Sequence, residues 1–116
     1  MSGGDLSPAG QLLRTDCSES AAAVWFTVWG EVDVATSGTL ARRLREAVAL
    51  ASPSRPLTVD LRDVTFLGAA GLRVLVDTQA ACDAEGIRTV VVADQSAVLT
   101  PLTVSGVAGL LTVVPG

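Results

Sequence analysis

The sequence predicts one small α/β domain, and three observations carry that prediction. β-branched runs alternate with segments whose apolar residues recur every three to four positions. The chain has 116 residues, enough for one hydrophobic core and little more. Apolar residues make up 49% of it, which excludes disorder, whereas aromatics make up only 3%, so Ala, Val and Leu must fill the core.

The elements follow in order. Residues 1–8 are polar and read as a flexible tail, with neither the basic start nor the apolar run of a secretory signal. The domain proper is expected over 9–116. Gln11 to Thr15 is a candidate first strand, and Ala22 to Trp29 reads as a buried strand ended by Gly30. Leu40, Leu44 and Val48 then recur every four residues among Arg42, Arg43, Arg45 and Glu46, the pattern of a helix with one buried stripe. Asp33 and Thr36 are placed to cap its start, and Pro53 and Pro56 stop it.

Leu57 to Leu61 is a short strand, followed by a turn. Ala69 to Glu85 forms a second helix, with Leu72, Leu75, Val76, Gln79 and Cys82 along one side and Gly86 just past its end. Ile87 to Ala93 is nearly all β-branched and reads as a central strand. Ser96 is expected to cap a short third helix that Pro101 bends, and Leu110 to Val114 forms a final strand. The uncharged stretch from Gln95 to Gly116 holds prolines, glycines and hydroxyl residues, so it reads as helix plus strand rather than a membrane span.

The residue inventory speaks against catalysis. His, Tyr and Lys are absent, which removes Ser-His-Asp and Cys-His arrangements and Schiff-base chemistry. The carboxylate pairs Glu31/Asp33 and Asp60/Asp63 sit at strand ends, where capping and turn formation explain them. Gly68-Ala69-Ala70-Gly71 runs from strand to helix but lacks the lysine and third glycine of the phosphate-binding fingerprints. Cys17 and Cys82 stand far apart without metal-ligand spacing, and no metal or cofactor is expected. A redox switch would require these two thiols to meet. The net charge is −4, so neither nucleic acid nor an anionic membrane is an expected partner.

Two motifs resemble those of the STAS domain as found in bacterial anti-sigma factor antagonists. The first is Gly30-Glu31-Val32-Asp33 with Ala35-Thr36 and the helix that follows. The second is Val59-Asp60-Leu61-Arg62-Asp63-Val64-Thr65-Phe66-Leu67, leading to Gly71-Leu72. Their order and spacing, with the Ser105-Gly106-Val107 turn after a short helix, extend the match over about residues 9–114. The resemblance implies a mixed β-sheet of four to five strands with three to four helices packed mainly on one side. It implies a cytoplasmic protein of transcription regulation and stress response. Such a protein binds an anti-sigma factor of the ATP-binding kinase fold, thereby releases a sigma factor, and exists as a monomer or weak dimer.

In that family Phe66-Leu67 is usually followed by Asp-Ser-Ser-Gly-Leu, and the first serine is phosphorylated by the partner, which switches binding off. Here Gly68, Ala69 and Ala70 occupy those positions, and Ala69, at the phosphorylated one, has no hydroxyl. The partner-binding residues implied are Glu31, Asp33, Thr36, Gly68, Ala69, Ala70, Leu72, Arg73 and Asp77. The alternative is a STAS domain used as a ligand-sensing or scaffold module, and a third reading is a redox switch acting through Cys17 and Cys82.

Overall fold

The structure, a computed structural model, describes residues 3–6 and 12–116, with side chains from residue 13 onward. Among these residues six strands pair in chain order into one sheet. They are β1 (Gly3–Leu6), β2 (Leu12–Glu19), β3 (Val24–Val32), β4 (Leu57–Leu67), β5 (Thr89–Val92) and β6 (Val113–Val114). β1, β2 and β3 run antiparallel, and β3 to β6 run parallel. The parallel strands are joined by crossovers through α1 (Ser37–Leu50), α2 (Ala69–Ala84) and α3 (Ser96–Val104), the last extended by a 3-10 turn at Val107–Leu110. The sheet is mixed, as expected. Its added strand is β1, in a segment to which no strand was assigned. The rest of the expected 1–8 tail (1–2 and 7–8), like Gln11, lies outside the described residues.

One face of the sheet carries the core. Val24 and Phe26 of β3 pair with Leu57 and Val59 of β4, and Val59 with Val91 of β5; these, with Val28 and Leu61, are all buried. Leu40, Leu44 and Ala47 of α1, Val74, Leu75 and Cys82 of α2, and Val98 and Leu102 of α3 join the same cluster. All three helices therefore pack on that face. On the other face Trp25 is exposed, and the Arg14 guanidinium lies 5.0 Å from the ring centre of Trp29. Asp60 is buried there under an ion pair with Arg62 at 2.7 Å.

Several expected boundaries need correction. β4 does not turn after Leu61 but runs on to Leu67, because β3 also continues to Val32 and pairs with it. The register shift between Thr27 and Trp29 absorbs a bulge at Leu61–Arg62, and the Arg62 amide there donates to Asp60 Oδ1 at 3.1 Å. Ser96 is the first residue of α3 rather than its cap; Gln95 precedes the helix. Only Val113 and Val114 of the expected last strand pair, because 107–110 is wound into the 3-10 turn.

Candidate functional site

Parallel pairing brings the C-terminal ends of β3 and β4 together, with Val32 opposite Leu67. The chain leaves both strands side by side, and the Gly68 amide donates to the Val32 carbonyl at 2.9 Å. Two segments more than thirty residues apart thus form one surface. Gly71 closes it from below. A Cβ there would come within 2.5 Å of Val32 Cγ1 and 2.7 Å of Leu67 Cδ1, so only glycine lets α2 approach this closely.

The residues between β3 and α1 are held by a reciprocal network. The Asp33 carboxylate accepts from the Ala35 and Thr36 amides at 2.9 and 3.1 Å. The Thr36 hydroxyl accepts from the Asp33 amide at 3.0 Å and donates to the Glu31 carbonyl at 2.8 Å. The Asp33 carbonyl accepts from the Ser37 amide at 2.8 Å. Thr36 therefore occupies the capping position of α1, but its side chain braces the turn instead of bonding to the helix. With both polar residues turned inward, Val34 stands at the tip, 87% exposed.

The first turn of α2 borders this network. Gly68 precedes the helix in extended conformation, and the helix start has no side-chain cap. Ala69 is exposed, while Ala70 and Leu72 are half-buried. Arg73 and Asp77 point outward one turn further on and pair at 3.4 Å, an exposed i,i+4 contact worth about 0.3–0.5 kcal/mol. The structure thus gathers Asp33, Thr36, Gly68, Ala69, Ala70 and Leu72 at one end of the sheet, beside Glu31, with Arg73 and Asp77 further along α2. The expected contact segments, 30–36 and 66–72, include Val34 and the half-exposed Phe66, 50% accessible, but neither side chain was among the contact residues named from the motifs. The signal for both was a large apolar side chain in a segment expected to turn.

Of the surface's carboxylates, Glu31 and Asp33 lie at the turn, where Asp33 Oδ1 accepts from two backbone amides, and no group of three or more Cys, Asp or Glu among the described residues could hold a metal. The thiols lie elsewhere. Cys17 is on β2, and Cys82 of α2 packs by Thr89 on β5. Those strands are three spacings apart, about 14 Å, well beyond the roughly 7 Å between Cα atoms that a disulfide spans. The proposed redox pairing is excluded by sheet order. Burial raises both thiols above their usual range, and Glu19 and Asp16 raise Cys17 further.

Comparison with known proteins agrees with this geometry. A crystal structure of an anti-sigma factor antagonist from Mycobacterium paratuberculosis superimposes with a TM-score of 0.80 at 28% identity, over 90% of this chain and 86% of that one. A putative anti-sigma factor antagonist from Thermotoga maritima gives 0.72 at 11% identity, covering 88% and 86% of the two chains. The phosphorylated form of the Bacillus cell fate determinant SpoIIAA gives 0.63 at 12% identity, over 86% and 90%. No curated protein sequence matches the chain. No helix among the described residues is long and apolar enough to cross a membrane. The family model described as Mlab, STAS domain, matches residues 15–113, nearly the whole of the sheet and its helices, and the chain belongs to the STAS domain family.

Proposed function

We propose that this STAS domain is an anti-sigma factor antagonist that acts by binding, not by catalysis, and that phosphorylation at the usual position does not switch it off. The observation that carries the reading is the exposed Ala69 at the uncapped start of α2, locked beside the Asp33 turn by the Gly68–Val32 hydrogen bond. By family resemblance, that is where a phosphoserine would stand. Phosphate there would add about −1.5 to −2 charges to the contact surface, and a methyl group accepts none. The likeness to antagonist structures supports an anti-sigma factor as the partner class; its ATP-binding kinase fold and a cytoplasmic setting are what the family resemblance adds to this reading.

The test is capture of the partner on the immobilised chain, identification by mass spectrometry, and a challenge with ATP. A kinase-fold anti-sigma factor that stays bound, with no phosphate on residues 68–70, is the expected result. Release by ATP, or phosphate on the chain, defeats the unswitched reading. Arg73→Glu should weaken the complex at least several-fold; unchanged affinity would move the interface away from α2.

A further inference from the structure

Beside the turn at 66–68 the sheet has a gap. β5 pairs only with residues 57–60 of β4, so the later half of β4 has no strand on that side and is flanked by α3. Gln95 holds the start of α3 there, its amide donating to the Leu61 and Val64 carbonyls at 2.7 and 2.8 Å. Beyond this anchor an open groove of about 560 Å³ remains, with Thr65, Phe66 and Leu67 on one wall and Ala97, Pro101 and Val104 on the other. None of its lining side chains is charged. Phe66 is half exposed and Val104 is 82% exposed, so two large apolar side chains meet water across one concavity.

We propose that this groove is a second anchor for the anti-sigma factor: a non-polar side chain of that partner seats between Phe66 and Val104 while the adjoining surface meets the Asp33 turn and the start of α2. The inference rests on the functional reading above and extends it to a specific contact. Continuity supports it. The Phe66 ring that forms one wall would lie 3.1 Å from a Cβ at Gly68, so one side chain borders both the groove and the turn. Chemistry supports it as well. With alanines at 69 and 70, uncharged surface runs from the groove onto the first turn of α2, and the charged pair Arg73–Asp77 stands beyond it. An apolar centre with charges at the rim is the usual anatomy of a specific interface, and a few aromatic or apolar anchors dominate its affinity.

The experiment measures calorimetric affinity of the kinase-fold anti-sigma factor for the wild-type chain, Val104→Lys, Phe66→Ala and Arg73→Glu. Val104 is exposed at the last turn of α3, where a cation suits the helix dipole, so that variant keeps the fold. Both groove variants should bind at least about tenfold more weakly, about 1.4 kcal/mol. If Val104→Lys binds like wild type while Arg73→Glu is weakened, the groove proposal is overturned and the antagonist reading stands. If the wild-type chain binds no kinase-fold anti-sigma factor, both fall. If Val104→Lys instead turns a wild-type dimer into a monomer in sedimentation, with anti-sigma affinity unchanged, the groove belongs to a second copy and the proposal is overturned.

Discussion

A methyl group at position 71 would press into Val32 Cγ1 and Leu67 Cδ1, both of which lie at the strand ends that carry the candidate site. Gly71→Ala should therefore cost about 1–3 kcal/mol by overpacking and lower Tm by at least about 4 °C. An unchanged melting curve would show that Val32 and Leu67 can move aside. Asp60 makes a second residue-level case. The hydrogen bond from the Arg62 guanidinium, partly opposed by burial, holds its carboxyl below the usual carboxylate range. A group whose pKa is lowered on folding stabilises the fold above its unfolded value, about 4, and this stabilisation is lost as pH falls through the folded value. Arg62→Met should therefore destabilise the protein more in urea titrations at about pH 7 than at about pH 3. Equal losses at both would mean that Asp60 draws no stability from Arg62.

At the scale of elements, β4 decides the shape of the site. Its extension past Asp60 outruns β5 and leaves carbonyls that a neighbouring strand would otherwise satisfy; Gln95 takes two of them. Gln95→Leu removes both donors and should cost about 1–3 kcal/mol for the unpaired carbonyls. It should also raise amide hydrogen exchange across Val98–Leu102 ahead of the rest of the core. Uniform exchange throughout would show that α3 is anchored by Val98 and Leu102 alone. The two long helices were legible in the chain because Leu40, Leu44 and Val48, or Leu72, Leu75 and Cys82, repeat within one helix. The extra length of β4 was not. Arg62 and Asp63 put two charges directly after Leu61, where a turn fits as well, and pairing with Trp29 to Glu31 carries the strand past them.

For the whole molecule, strand order governs which residues meet. Cys17 and Cys82 sit on opposite sides of β3 and β4, so mild oxidation should leave both as thiols within each chain. A thiol reagent should modify the exposed Cys17 in the native state and reach the buried Cys82 only after denaturation. An intramolecular disulfide in the oxidised protein would contradict this strand order. The same order places α1, α2 and α3 over a single core while Trp25 and Trp29 occupy the opposite face, so two of the few aromatic side chains stand outside the core.

By itself, the chain determined the α/β class, the succession of strands and helices from β2 onward, and a residue set without His, Tyr or Lys. It also determined the two motifs that place Asp33 and Gly68–Ala70 in the candidate site. These are local properties, written in periodicity, glycines and short spacing. Only the tertiary structure decided that β4 continues to Leu67, that Asp33 and Thr36 spend their polar groups on each other and leave Val34 exposed, and that Phe66 and Val104 flank a common groove. It also decided that the two cysteines never meet. Each of these depends on which strand or helix lies alongside, and that is settled by pairing and burial between segments far apart in the chain.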